Sequence, residues 1–217
     1  MADRPIIFSA PAVCALLDGR KDQDRRFLEL KGYKGFHQFG PSDTPGYDWT
    51  FRRSDWVWED YEHERLLKLL PVQVGDRLWV REELKRDDKL WGYSTDGCSL
   101  SWLARRELAP RVSVCVSAAF MPRIASRLTL LVTDVRVQRL QDISAADSIA
   151  EGVQCETCEA MRQSNCNGRG CFSSVDAFHT LWNSLHGPEA WDRNDWVAAY
   201  TFTTHRCNIG QMEPAHA

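Results

Sequence analysis

Gly75-Asp76-Arg77-Leu78-Trp79-Val80-Arg81-Glu82 is the stretch on which the fold turns. Gly-Asp is a turn signal. After it, Leu78 and Val80 alternate with Arg77, Trp79 and Arg81, the period of two expected of a half-buried strand. Working outward, the segment from Arg127 to Leu140 (Arg-Leu-Thr-Leu-Leu-Val-Thr-Asp-Val-Arg-Val-Gln-Arg-Leu) is the longest β-branched and apolar run of the chain and predicts a second strand. Trp196 to Thr204 predicts a closing strand and Arg4 to Phe8 an opening one. Trp91-Gly-Tyr with Ser94-Thr-Asp-Gly97 predicts short hairpins.

Helices are few and short. Ser9 stands as an N-cap before Pro11-Ala-Val-Cys-Ala-Leu-Leu-Asp18, with Gly19 as the C-terminal cap. Ser144-x-x-Asp147 resembles a capping box opening a helix that stops at Gly152. Val175, Phe178, Leu181, Trp182 and Leu185 recur at helical spacing until Gly187-Pro188. Strands separated by short helices, with no regular βα alternation, indicate an α+β class and a small mixed β-barrel. Residues 32–63 are rich in Gly, Pro, Asp and aromatics without a clean period, and predict a long ordered loop or an irregular hairpin.

A chain of 217 residues, 43% of them hydrophobic, predicts one domain with insertions over 1–217. The formal charge of −3 gives no global positive field, so any contact with nucleic acid must come from a local patch. No apolar run reaches the ~20 residues needed to cross a bilayer. The opening Met1-Ala-Asp-Arg-Pro-Ile-Ile-Phe lacks the features of a secretory signal. The expectation is a cytoplasmic protein, making no membrane contact, whose eight cysteines are reduced or metal-bound.

Four of those cysteines fall together. Cys155-Glu-Thr-Cys158 and Cys166-Asn-Gly-Arg-Gly-Cys171 place four thiols in a loop spanning about 153–173. Four thiolates at about 2.3 Å give the closed tetrahedral site of a structural zinc ion, which leaves no open position for water activation. The alternatives are four unrelated cysteines in a polar loop, or His179 or His186 replacing one ligand.

Gly19-Arg-Lys-Asp-Gln-Asp-Arg-Arg26 follows the first helix. With the strand ending in Glu82, it resembles the ASCH family, whose pattern is Gly-x-Lys-Thr-x-Thr-x-Arg after the first helix and then a Gly-Asp strand ending in glutamate. Gly19, Lys21 and Arg26 match the first element; Gly75, Asp76 and Glu82 match the second. More closely, segments 75–82, 121–130 and 181–184 are similar to those of bacteriophage and prophage ASCH proteins. The resemblance implies a PUA-like barrel, in which the cysteine loop would be a zinc-knuckle insertion, and nucleic-acid or modified-nucleobase recognition.

Some family members hydrolyse acetylated cytidine nucleosides with a lysine, a threonine and a glutamate; others are ribonucleases or nucleic-acid binders. By position, Lys21 and Glu82 are retained, while Asp24 stands where the catalytic threonine would be and Asp22 replaces the other threonine. Two carboxylates beside Lys21 favour its ammonium form and oppose its use as a neutral base. Asp24 or Glu82 then becomes the base, with Lys21 stabilising an oxyanion. The plain alternative is a surface ion pair of Lys21 with Asp24.

Arg20, Lys21, Arg25, Arg26, Arg81 and Arg123 are the candidate phosphate or ligand contacts, since Arg suits bidentate recognition. Trp and Tyr residues in 47–61 are either stacking platforms for unpaired bases or packing residues. The leading expectation is a module binding RNA or a modified nucleoside, with DNA as a second candidate partner and oligomeric state left open. A nucleoside amidohydrolase or ribonuclease using the same cleft, and a phage structural or host-interaction protein, are the alternatives.

Overall fold

The computed structural model describes residues 1–33, 35–87, 90–108, 114–153 and 174–212. In chain order the strands are β1 (Asp3–Ile7), β2 (Gln23–Phe27), β3 (Phe36–Pro41), β4 (Trp49–Arg53), β5 (Trp58–Tyr61), β6 (Arg77–Arg81), β7 (Leu84–Asp87), β8 (Leu90–Tyr93), β9 (Cys115–Val116), β10 (Thr129–Arg139) and β11 (Trp196–His205). The α-helices are α1 (Ala10–Leu17), α2 (His63–Leu69), α3 (Trp102–Leu108), α4 (Ala145–Ala150) and α5 (Ser174–His186). No described helix is long and apolar enough to cross a membrane.

The class is α+β, as the sequence predicts. A closed barrel is not what the strands make. They form three open sheets, ordered β1-β6-β10-β11-β2, β3-β4-β5 and β8-β7-β9, and the five-stranded one keeps β1 and β2 as its edges. β1 and β2 are only five residues each, and within that sheet each is paired along one side alone.

The chain divides into two compact units. The first comprises Met1–Asp22, Gly75–Thr133 and Phe202–Ala217. Here β1 runs parallel to β6, from Asp3↔Arg77 to Ile7↔Arg81, and β6 pairs antiparallel with the start of β10. β6 has a neighbour on each side, and Trp79 is buried together with Leu78 and Val80, where alternation alone predicts it to face outward. The Arg81 guanidinium lies 4.5 Å from the Trp79 ring. A second cluster of this unit packs Leu84, Trp91, Leu100, Leu108 and Met121 between the β7-β8-β9 sheet and α3.

The second unit comprises Gln23–Val74 and Asp134–Thr201. Its β2 pairs antiparallel with β11, from Gln23↔Thr201 to Phe27↔Val197. One core gathers Leu140, Ile143, Phe178, Trp182 and Val197. Ser144 caps α4 by accepting the Asp147 amide at 3.0 Å, and Gly152 ends it with φ +85°.

Residues 36–61 form the sheet β3-β4-β5, where a loop or irregular hairpin was expected. Its core is aromatic: Phe51 is fully buried, stacked on Tyr61 at 5.4 Å and met edge-on by Tyr33 at 4.9 Å. Both tyrosine hydroxyls donate to Glu59, whose other oxygen accepts from Arg53 at 2.7 Å.

Candidate functional site

In the first unit, the end of α1 fixes Lys21. The helix closes in a Schellman motif, with the Gly19 amide donating to Leu16 and the Arg20 amide to Ala15. Gly19 takes φ +72°, the left-handed conformation that this motif requires. The next residue, Lys21, is 5% exposed, with its Nζ 5.5 Å from the centre of the Phe8 ring.

Phe8 follows β1 directly, and its amide donates to the Arg81 carbonyl at 3.2 Å. β1 and β6 are parallel, so Phe8 and Glu82 leave the sheet at the same end. The structure therefore brings Lys21 and Glu82 to one strand end.

Glu82 is 1% exposed. Arg127 grips it in a fork, Nε to Oε1 and Nη2 to Oε2 both at 2.8 Å, and the Thr95 hydroxyl donates to Oε2 at 2.9 Å. Arg127 also donates to Asp96 at 2.6 Å and lies 3.9 Å over the Tyr93 ring. Burial pushes the Tyr93 phenol up to about 12. Burial also works to raise the Asp96 carboxyl, but the bonds from Arg127 and the Cys98 amide outweigh it and hold the group below its ordinary value.

Three donors thus occupy the Glu82 oxygens. A carboxylate offers about four acceptor sites, so these three donors fix the orientation of the Glu82 side chain and leave little room for a further donor. Arg127, Thr95 and Asp96 are residues that sequence reasoning did not assign to the site, since Arg127 stands 45 positions from Glu82.

Of the remaining basic candidates, Arg123 pairs with Asp3, the residue opposite Arg77, and so belongs to the other end of the β1/β6 pair, roughly 13 Å away along the strand. Arg81 donates to the Ala119 carbonyl at 3.0 Å, and Arg20 pairs with Asp18 at 2.8 Å near the surface.

In the second unit, Gln23–Phe27 is a strand. Arg26 donates to Asp24 two residues away on the same strand face, at 2.9 Å. The Arg25 side chain has no solvent exposure. It donates to Glu151 at 2.8 Å and to Gln23 at 3.2 Å. Its Nη2 lies 3.2 Å from Asp147 as an ion pair without hydrogen-bond alignment. Arg25 thus ties β2 to α4 from within.

A cleft of about 860 Å³ opens in the same unit, bordered by Phe36, His37, Trp58, Arg139 and Trp196. Arg139 stacks 4.4 Å over Trp196. Of the three tryptophans in the 47–61 stretch, Trp49 packs against Phe39 and Trp196, whereas Trp56 and Trp58 are 60% and 52% exposed.

Cys155, Cys158, Cys166 and Cys171 lie outside the described residues. Among the described residues no group of three or more His, Cys, Asp or Glu is arranged to hold a metal ion. His179 stacks on Trp191 at 5.0 Å and His186 meets Trp182 tilted at 4.2 Å, so both histidines pack within their own unit. No family model matches the chain, and no match is found among curated proteins or solved structures.

Proposed function

We propose that this chain is an ASCH-type, PUA-like protein that binds RNA or a modified nucleobase, with a structural zinc ion on Cys155, Cys158, Cys166 and Cys171. The observation that carries the reading is the convergence of Lys21 and Glu82, both almost fully buried, at the end of the β1/β6 pair. Burying opposite charges costs several kcal/mol per ion unless partners offset it. Two such groups at one strand end are the kind of feature a recognition site retains against that cost.

Binding is favoured over hydrolysis by the state of Glu82. Its oxygens already accept from Arg127 and Thr95, which suits a fixed counter-charge better than a proton shuttle. Asp24 at the family's threonine position is likewise engaged, by Arg26.

The test is a panel of modified nucleosides, N4-acetylcytidine included, and short RNAs, read by thermal shift and by mass spectrometry of the recovered ligand. The expected result is a shift with unaltered ligand, lost in Lys21→Ala at unchanged far-UV circular dichroism. Release of acetate or strand cleavage, abolished by the same variant, would move the assignment to a hydrolase. Absence of any shift across the panel would remove the binding reading.

A further inference from the structure

The β4–β5 hairpin carries an arrangement that its own fold does not require. Arg53 donates to Val57 as strand pairing ends, and the Trp56 amide returns to the Arg53 carbonyl, so Ser54, Asp55 and Trp56 form a three-residue loop. The last position of such a loop needs a left-handed residue, normally glycine. Here it is Trp56, at φ +69°. A bulky side chain in that conformation is strained, and Trp56 recovers little by burial because it is 60% exposed. Strain kept at an exposed aromatic points to use of the ring.

The ring is presented in an ordered stack. His37 lies parallel to it at 4.4 Å and 17°, and the Arg52 guanidinium sits 4.3 Å from its centre and 5.7 Å from that of Trp58. Arg52 forms no ion pair among the described residues, and its Nε is buried without a hydrogen-bond partner. The adjacent Arg53, by contrast, is neutralised by Asp55 and Glu59. His37 and Trp58 also border the cleft that holds Arg139 and Trp196, so rings and cleft form one continuous surface within this unit.

With His37 and Arg52 already lying on Trp56, the exposed His37 and Trp58 rings beside an uncompensated guanidinium complement a flexible strand with unstacked bases and phosphates. A protein partner would call for a drier apolar patch with its cations at the rim. The cleft wall adds acceptors at Gln38, Asp43 and Thr50, which suit the donor of a ribose 2′-hydroxyl and would repel phosphate at Asp43.

We infer that Trp56, Trp58 and Arg52 form a stacking platform for unpaired nucleotides of single-stranded RNA, with the neighbouring cleft receiving a base or ribose. It uses residues other than Lys21 and Glu82, and it rests on the nucleic-acid reading proposed above.

The experiment measures binding of a fluorescein-labelled single-stranded 12-mer RNA to the full chain by anisotropy, at several salt concentrations, beside the DNA of the same sequence. Trp56→Gly removes the ring while relieving the backbone, so it should weaken binding with thermal stability kept or raised. Trp58→Ala should weaken binding about 5- to 150-fold, as loss of one stacked base does, and Trp58→Phe should recover most of it. Arg52→Gln should lower the salt slope by about 0.7. Wild-type binding that Trp56→Gly, Trp58→Ala and Arg52→Gln all leave unchanged overturns the platform and spares the nucleic-acid reading. No RNA binding by the wild type overturns both. Equal affinity for the DNA strand overturns the assignment to RNA.

Discussion

Arg25 offers the sharpest test of how the second unit is held together. Its side chain is fully buried, and the Glu151 carboxylate that it meets at 2.8 Å is 3% exposed. Arg25→Met removes the guanidinium and leaves that carboxylate in a site shielded from water. Asp147 suffers less, because Gln23 still donates to it at 2.9 Å and Arg136 at 3.2 Å. The cost is therefore dominated by loss of the Arg25–Glu151 pair, about 3–5 kcal/mol for breaking a buried pair from one side. For a chain of this size that corresponds to a fall in Tm of about 6–20 °C. Arg25→Met with Glu151→Leu removes both charges and should recover most of the loss, because a buried pair exchanged for apolar groups is close to neutral. Urea unfolding followed by tryptophan fluorescence measures each corner of the cycle. An Arg25→Met variant within about 1 kcal/mol of wild type would refute this reasoning and return Arg25 to the list of residues free to meet a ligand.

Acid should loosen the fold in a defined window. Burial pushes the Asp147 carboxyl up, yet the hydrogen bonds from Gln23 and Arg136 and the charges of Arg136 and Arg25 outweigh it, so its pKa is depressed. Asp96 is depressed as well, and so is Glu59, where burial is overcome by the bonds from Tyr33, Tyr61 and Arg53. A folded pKa below the unfolded one contributes stability that is complete above the unfolded value of about 4 and lost as pH falls through the lower folded value. Urea midpoints should hold steady from pH 7 to about 5 and drop below about 4; a midpoint that rises on acidification contradicts the assignment. At the strand-end site, Arg127→Met should cost about 3 kcal/mol by stranding Glu82, whereas Thr95→Val should cost about 1 kcal/mol by removing one neutral donor; equal costs in urea unfolding would argue against the fork as the main support. Protein purified without chelator should carry about one zinc per chain by mass spectrometry of the metal, lost in Cys155→Ser with Cys158→Ser; a ratio near zero would dismiss the four-thiolate assignment.

Where a period was present the elements were legible in the sequence. Leu78 with Val80, the run through β10, and the spacing of Phe178 and Trp182 all write their burial into the chain, and β6, β10 and α5 lie where they predict. The sheet β3-β4-β5 was illegible for a physical reason. Its strands have four to six residues, and Phe51 is buried by rings contributed from Tyr33, Phe39 and Tyr61 on other segments, so no single strand shows alternation. β2 was missed because Gln23, Asp24 and Arg25 have the polar make-up of an exposed segment, and only carboxylates more than a hundred positions away make Arg25 a core residue. The site divides the same way. Lys21 and Glu82 could be picked out by motif, but Arg127, which decides what Glu82 can do, is joined to it only by folding.

Net charge is the other quantity that folding reinterprets. A chain at −3 looks a poor partner for a polyanion, yet what a phosphate meets is the set of cations left uncompensated at the point of contact. Arg25 and Arg127 are consumed by buried carboxylates, and Arg53 by Asp55 and Glu59. Arg52 and Arg139 keep their charge facing aromatic rings, with no carboxylate paired to either among the described residues. Two such guanidiniums release few counterions, so log K should fall against log salt with a slope of only about −1.4 for a single strand. Stacking, which salt hardly screens, must then carry most of the affinity. A slope of −4 or steeper would mean that RNA contacts a basic surface other than this hairpin.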